Sequence, residues 1–347
     1  MSENATAPIG YFSRAIRDGI ALAMREDPNV VVMGEDVVRS TVGATRGLAE
    51  EFGPKRVRNT PISEAAFVGM SAGASMSGLR PLVDLGFSSF LYVAMDQLAN
   101  QIARLRYMSG GQVSLPLVIM AGTGPAGSAA AQHSENPHPM LMHIAGLKVV
   151  YPSTPANAKG LILTSIRVND PVVYLFDLAL AGAKGPIPSE DCAIPFGTAE
   201  VCCAGTDVTL VAVGGMVPPS VRVALQVREQ EAISVEVIDP RTLVPMDWRT
   251  IRKSVLKTKR LVVVDPARRT CGAAAEIIAR ATEELWEEMT ARPRRVTWAD
   301  VPIPLSPRLE EAVTIAEEDI REAIFGAVGR GQRQTGSGRG RSTVAHA

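Results

Sequence analysis

The stretch Thr60-Pro-Ile-Ser-Glu-Ala-Ala-Phe-Val-Gly69 is the most informative part of this chain. Ser63 is predicted to be a helix N-cap, because its hydroxyl can accept a backbone N–H of the first turn. Glu64 is then the first charged residue of a helix that stays apolar and small-residued through Ser71-Ala-Gly-Ala-Ser-Met-Ser77. Such a carboxylate is typical either of a contact with the helix dipole or of a carboxyl held at an apolar site for proton chemistry.

Strand and helix patterns alternate on both sides of this stretch. The predicted strands are Val30–Met33, Leu82–Leu85, Leu115–Met120, Leu147–Tyr151 and Val172–Leu175. The predicted helices are Tyr11–Asp27, Tyr92–Tyr107 and Asn157–Val168. Short apolar strands separated by helices are typical of an α/β fold with a parallel sheet that is covered on both faces.

A second alternating series indicates a second, smaller α/β domain. Its predicted strands are Val208–Val213, Ser234–Ile238 and Arg260–Asp265, and its predicted helices are Pro218–Glu229, Asp247–Leu256 and Gly272–Glu288. We therefore expect a first domain at 8–185, an irregular Pro- and Gly-containing linker at 186–200, and a second domain at 201–328. Residues 1–7 and the Gly-, Arg- and Ser-rich tail 329–347 are expected to be disordered.

Composition excludes several functional classes. The 347 residues carry 36 basic and 36 acidic side chains, so we expect no nucleic-acid partner. No apolar run reaches the ~18 residues of a membrane span, and the N-terminus lacks a secretion signal. The four cysteines lack C-x-x-C spacing, which favours a reduced, cytoplasmic setting.

Two loops around residue 130 contain candidate site residues. Gly122-Thr-Gly-Pro-Ala-Gly127 matches G-x-G-x-x-G, but Pro125 and the absence of any acid at 137–155 argue against dinucleotide binding. A flexible loop over a site is the favoured interpretation. His133, His138 and His143 follow within eleven residues, and their spacing does not favour a metal site. An acid–base histidine on a mobile loop is favoured, and a polar surface loop remains the alternative for His138.

Phe87-Ser-Ser-Phe90 follows the predicted strand Leu82–Leu85 in a chain poor in aromatic residues. Side chains at the carboxyl end of a parallel strand face the crevice where such sheets bind ligands. A plug of the hydrophobic core is the alternative for either phenylalanine. Together with Glu64, the pattern favours a flat heteroaromatic ligand that contacts a phenylalanine ring and hydrogen-bonds the carboxylate.

The chain resembles the beta subunit of the thiamin-diphosphate-dependent decarboxylating component of 2-oxo acid dehydrogenase complexes, as found in pyruvate, branched-chain and acetoin dehydrogenases. The resemblance spans about residues 8–328. The matching segments are Val32-Met-Gly-Glu-Asp-Val37, Asn59-Thr-Pro-Ile-Ser-Glu-Ala65, Gly78-Leu-Arg-Pro81, Asp96-Gln97, Leu105-Arg-Tyr-Met-Ser-Gly-Gly111, Gln132-His-Ser134, Gly146-Leu-Lys-Val-Val150, Pro152-Ser-Thr-Pro155, Ala158-Lys-Gly160, Val235-Glu-Val-Ile-Asp239 and Arg241-Thr-Leu243. It implies a pyrimidine-binding domain followed by a transketolase C-terminal-type domain.

The resemblance also implies roles for single residues. Glu64 matches the family's catalytic glutamate, which hydrogen-bonds N1′ of the aminopyrimidine and so promotes formation of the ylid that attacks a 2-oxo carbonyl. His133 matches the active-site loop histidine that assists decarboxylation or acyl transfer to the lipoyl group. Phe90 and Phe87 are expected to hold the pyrimidine ring, and Glu35 and Ile62 to lie on the cofactor side.

Half of the family's site is missing from this sequence. No Gly-Asp pair occurs, so the Mg²⁺ and diphosphate site implied by the resemblance is expected on a separate alpha subunit, in an α₂β₂ heterotetramer. A lipoyl acyltransferase is the further expected partner. Asn59, Phe176, Pro266 and the segment His133-Ser-Glu-Asn136 depart from the family pattern and leave the substrate open. An acetoin-type or carboligating enzyme that does not use lipoamide and a non-catalytic assembly subunit remain alternatives.

Overall fold

The first of two large sheets has seven strands in the order β12-β6-β7-β5-β4-β2-β3. The structure is a computed structural model, and it describes residues 7–125, 127–189 and 191–330. Within these ranges the sheet consists of β2 (Val30–Gly34), β3 (Val57–Asn59), β4 (Arg80–Phe87), β5 (Val118–Thr123), β6 (Lys148–Val150), β7 (Val172–Asp177) and β12 (Thr242–Val244). All are parallel to their neighbours except β12, which is antiparallel to β6. The disorder expected at the two ends falls outside the described residues, apart from Ala7, Gly329 and Arg330.

Two hydrophobic cores cover the two faces of this sheet, because side chains alternate along each strand. In β4, Leu82 belongs to one core and Val83 to the other. The helices α1 (Phe12–Glu26) and α6 (Pro155–Arg167) pack on the first face. The second face is covered by α3 (Glu64–Met76) and by α5 (His138–His143). The short helix α2 (Leu48–Phe52) lies against β3 and α1.

The second sheet has the order β14-β13-β10-β11-β9 and forms the smaller domain. Its strands are β9 (Glu200–Cys203), β10 (Val208–Ala212), β11 (Val235–Asp239), β13 (Leu261–Arg268) and β14 (Arg294–Trp298), and β9 alone pairs antiparallel. The helices α7 (Val217–Glu231) and α11 (Glu317–Ala327) cover one face, and α8 (Trp248–Thr258) and α9 (Ala273–Leu285) cover the other. The helix α10 (Pro307–Val313) lies beyond β14 along the chain. The predicted two-domain α/β fold is confirmed.

The two domains are joined by more than a linker. Strand β12, from within the range predicted for the second domain, pairs with β6 and closes one edge of the first sheet. The expected linker 186–200 begins at the end of β8 (Lys184–Pro186), which pairs with β1 (Ile9–Tyr11). Its described residues pack against the first core through Ile187, Ile194 and Phe196. The linker is therefore part of the packed structure.

The predicted continuous helix Tyr92–Tyr107 is wrong. The structure has a 3₁₀ helix at Ser88–Tyr92, a π-helical turn at Gln97–Ile102 and the short α-helix α4 (Leu105–Met108). Leu98 and Ile102 of this segment are buried. Tyr107, in the α-helix that follows, is 90% exposed.

Candidate active site

The carboxyl ends of three neighbouring strands bring the first candidate residues together. Strand β4 pairs with β2 and β5, so Glu35 after β2, Phe87 at the end of β4 and Gly122 in β5 lie at one edge of the sheet. Gly34 turns the chain after β2 with φ +151°, and a side chain there would lie 2.0 Å from the backbone oxygen of Asp84. Only glycine fits this approach, so Gly34 determines where Glu35 begins its loop.

Glu64 is the first residue of α3, and its side chain is buried. Ser63 occupies the predicted N-cap position, but its hydroxyl donates to the carbonyl of Pro61 at 3.2 Å instead of accepting a backbone N–H. The predicted cap hydrogen bond is therefore wrong. The backbone of Ser63 hydrogen-bonds Glu35 instead, which offsets part of the rise in the pKa of Glu35 that burial causes.

Glu35 and Glu64 form a carboxyl pair. Burial raises the pKa of Glu35 above its ordinary value, and repulsion from the Glu64 carboxylate adds to the rise. Within the described part of the chain, the buried Oε1 atom of Glu35 has no hydrogen-bond partner, and neither do Thr60 Oγ1 and Gln97 Oε1. Buried polar atoms without a protein partner indicate a site that can bind a polar ligand.

An aromatic cluster carries the second part of the site. The ring of His133 lies edge-on to Phe87, with centroids 4.6 Å apart, and to Phe90, with centroids 5.7 Å apart. The two phenylalanine rings are themselves 5.9 Å apart in edge-to-face contact. The interpretation of either phenylalanine as a core plug is not supported, because both remain partly exposed. Apolar rings beside an imidazole suit a flat heteroaromatic ligand.

Ile62 is the one predicted contact residue that lies apart from these buried groups. Its side chain is 84% exposed on the short segment between β3 and α3. The segment itself is tied to the site, because Thr60 N donates to the carbonyl oxygen of Gly34 at 2.9 Å. The side chain of Ile62 therefore faces solvent beside the site.

The loop that carries His133 is held by both domains. Its neighbour Glu135 forms two hydrogen bonds with Arg268 of β13, of 2.7 and 2.8 Å, and these raise the pKa of Arg268. His138 is fully buried, and its Nε2 lies 2.7 Å from Oδ1 of Asp265 in the second domain. The polar surface-loop alternative for His138 is therefore wrong. Sequence reasoning missed Arg268 and Asp265, since no local pattern links residues so far apart.

No group of possible metal ligands found among the described residues includes His133, His138 or His143. Among the described residues, one group has ligand atoms spaced for a metal ion: Glu200, Cys202 and Asp239, on β9 and β11 of the second sheet. Within that group Arg241 pairs with Glu200, and Ser153 donates to Asp239. These carboxylates already have protein partners, and they lie on other strands than the carboxyl pair.

Comparisons with known proteins agree with this geometry. The family description "Transketolase, pyrimidine binding domain" matches residues 11–179, and "Transketolase, C-terminal domain" matches residues 197–320. The chain is 40% identical over 313 residues to the acetoin:2,6-dichlorophenolindophenol oxidoreductase subunit beta of Bacillus subtilis, covering 86% of this chain and 91% of that protein. It is 39% identical over 312 residues to the pyruvate dehydrogenase E1 component subunit beta of Rickettsia felis, covering 89% and 95%. The chain belongs to the family of E1 beta subunits of pyruvate and acetoin dehydrogenases.

A solved structure extends the comparison for this E1 beta family member. A chain described as a split-gene transketolase, inactive beta4 tetramer, superimposes with a TM-score of 0.75 over 93% of this chain and 100% of the other. At 23% identity that likeness concerns the fold alone. In the part of the chain that the structure describes, no helix has the length and apolarity needed to cross a membrane.

Proposed function

We propose that this E1 beta chain works with an alpha subunit in the thiamin-diphosphate-dependent oxidative decarboxylation of a 2-oxo acid, with acyl transfer to lipoamide. The observation that carries the proposal is the carboxyl pair of the buried Glu64 and the half-buried Glu35, at the same sheet edge as the Phe87, Phe90 and His133 cluster. A transketolase-type domain with this set suits an aminopyrimidine ring, which has both an apolar face and ring nitrogens.

The residues present fit the pyrimidine side of the cofactor. Phe87 and Phe90 supply apolar surface for the ring, and Glu64 supplies a buried carboxylate for a ring nitrogen. Thr60 Oγ1 and Gln97 Oε1, which have no partner, supply further polar contacts. When bound, thiamin diphosphate supplies the carbon nucleophile that attacks the 2-oxo carbonyl and the electron sink for decarboxylation.

Glu64 holds or releases a proton at the ring nitrogen. The neighbouring Glu35, whose pKa is raised by burial and by Glu64, retains a proton more readily than an exposed glutamate. His133, beside both phenylalanine rings, is the proton donor or acceptor proposed for the substrate.

The proposal includes a partner that completes the site. An alpha subunit would bind Mg²⁺ and the diphosphate, because no Gly-Asp pair of the metal-binding type occurs in this chain. We propose an α₂β₂ heterotetramer, a lipoyl acyltransferase as the acyl acceptor, and a cytoplasmic location. The exposed Ile62 beside the site supports the alpha subunit as partner, because a large exposed apolar side chain near a site suits a subunit interface.

Replacing Glu64 by glutamine tests the proposal. The variant E64Q keeps the shape of the side chain and cannot carry the charge, so we expect 2-oxo acid decarboxylation by the co-expressed αβ complex to fall by about 10²-fold or more. The matched control is E50Q, which changes an exposed glutamate in the first turn of α2. Full activity of E64Q would overturn the assignment.

A second candidate is an acetoin-type or carboligating enzyme that does not use lipoamide. It is favoured by the 40% identity to a subunit named as an acetoin oxidoreductase. Supplying the αβ complex with pyruvate, branched-chain 2-oxo acids or acetoin, with and without a lipoyl acceptor, separates the two candidates by the products formed. A third candidate, a non-catalytic assembly subunit, predicts that no αβ complex of this chain binds thiamin diphosphate.

A further inference from the structure

The ion pair between Glu135 and Arg268 joins the His133 loop to the second domain. Arg268 is the last residue of β13, and its Nη1 and Nη2 donate to the two carboxylate oxygens of Glu135 at 2.7 and 2.8 Å. Its Nε donates to the carbonyl of Val301 at 3.3 Å, so the guanidinium is fixed in orientation. A two-point contact of this kind fixes angle as well as distance, which a single-point contact from lysine does not.

The backbone of Glu135 is held from the opposite side. Its carbonyl oxygen accepts hydrogen bonds from Ser88 Oγ at 2.7 Å and from Gly124 N at 3.1 Å. Ser88 belongs to the 3₁₀ helix that also carries Phe90, and Gly124 follows β5. The first domain therefore hydrogen-bonds the backbone of Glu135, while the second domain hydrogen-bonds its side chain.

The position of His133 depends on these contacts, because it lies two residues before Glu135. Its imidazole packs against Phe87 and Phe90, and among the described residues no side chain hydrogen-bonds it and so orients it. A displacement of the backbone at Glu135 would therefore move the ring relative to the phenylalanines. Misplacement of a reacting group by about 1 Å can cost 10²-fold in rate.

We propose that Arg268 is a positioning residue that acts through Glu135 to hold His133 against the bound substrate, so that the second domain takes part in catalysis without contacting the reacting atoms. The inference rests on the function proposed above for His133. The pair lines a cleft of 1120 Å³ between the two domains, and Arg268 is 32% exposed while Glu135 is 15% exposed. Its effect is therefore expected in the rate of reaction more than in overall stability, because partly exposed pairs contribute little to folding.

A double-mutant cycle in the αβ complex tests the inference. We expect R268Q to lower kcat about ten- to hundredfold with KM changed less than about threefold, and R268K to fall between R268Q and wild type. Because Arg268 acts through His133, the double variant R268Q/H133N should be no slower than H133N alone. The variant E135Q should lower kcat as R268Q does, and it replaces R268Q in the cycle if R268Q does not fold.

The matched control is R222Q, which removes another arginine–glutamate pair of the second domain, Arg222 with Glu317 between α7 and α11. Its kcat should stay within about twofold of wild type. Losses that multiply in R268Q/H133N, an unchanged kcat in R268Q and E135Q, or an H133N variant of wild-type activity would each overturn the inference.

Failure of the proposed function is recognised separately, because the wild-type complex would then decarboxylate no 2-oxo acid. In that event hydrogen exchange of the amides in 128–136, measured in the complex without substrate, decides whether the pair holds the loop. Faster exchange in R268Q than in R222Q supports the positioning contact, and equal exchange overturns it.

Discussion

At the residue scale, three aspartates are buried, and burial makes their charged forms unfavourable. Burial raises the pKa of Asp84, Asp177 and Asp239 to about 6 in each case. Asp84 accepts a hydrogen bond from Gly86 N at 2.9 Å, which offsets part of the desolvation. Asp177 packs against the backbone of Gly215 of the second domain. These carboxyls bind protons more tightly in the folded than in the unfolded chain.

The variant D84N tests this at one position. A carboxyl whose folded pKa is raised stabilises the fold below its unfolded pKa of 3.8, and that stability is lost as pH rises through about 6. For Asp84 the rise in pKa from 3.8 to about 6 corresponds to about 3 kcal/mol in the free energy of unfolding. We expect thermal unfolding of D84N to depend less steeply on pH between 4 and 7 than that of wild type. A variant with an unchanged pH slope would show that Asp84 does not titrate in this range.

Residue-level prediction was possible where the signal is local. Strand ends and family motifs predicted one site for Glu64, Phe87, Phe90 and His133. In the structure the rings of Phe87, Phe90 and His133 are in contact, and the carboxylate of Glu64 interacts with that of Glu35. Their roles in chemistry stay predictions. The contact of Glu135 with Arg268 spans 133 residues and depends on how two domains meet, which no spacing rule encodes.

At the scale of elements, the strands with continuous apolar runs were predictable, and short or irregular ones were not. Strands β4, β5 and β7 lie where the sequence indicates, because buried parallel strands are apolar on both faces. The π-turn at Gln97–Ile102 keeps the helical spacing of its buried residues, so the pattern could not reveal the break. The three-residue strand β12 is too short to give a period.

Replacing Leu243 in β12 tests how strongly the domains are coupled. Leu243 is buried in the second core of the first sheet, so L243A should destabilise the protein by about 2–5 kcal/mol. Because the strand links the domains, we expect the single calorimetric transition of the wild type to split into two. The control L225A, at a side chain of α7 that is 52% exposed, should keep one transition. Two transitions in the wild type would contradict this expectation.

At the scale of the whole molecule, several exposed apolar side chains belong to the same segments of the chain as candidate site residues. Ile62, Met70, Val93, Tyr107 and Met108 are all more than half exposed. They belong to the segments just before α3, within α3 and after β4, which also carry Glu64 and the aromatic cluster. Apolar surface of this kind is typical of a subunit interface. The site is therefore expected to be completed by another chain.

The purified chain without an alpha subunit should not decarboxylate any 2-oxo acid, because the diphosphate side of the site is proposed to lie on the alpha subunit. Adding the alpha subunit with Mg²⁺ and thiamin diphosphate should restore activity. It should also raise the unfolding temperature of the beta chain, since a partner that binds only the folded state stabilises it. Activity measurements and thermal unfolding at several alpha concentrations check both points. Decarboxylation by the beta chain alone would contradict the requirement for a partner.

The pairing of β12 with β6 also has a consequence for synthesis on the ribosome. Strand β6 ends at Val150, but its partner β12 ends only at Val244. During synthesis, the edge of β6 therefore stays unpaired until the chain up to Val244 has emerged from the exit tunnel. Open strand edges invite pairing with other chains, so this interval is when the growing polypeptide is most exposed to misassembly and to chaperone binding.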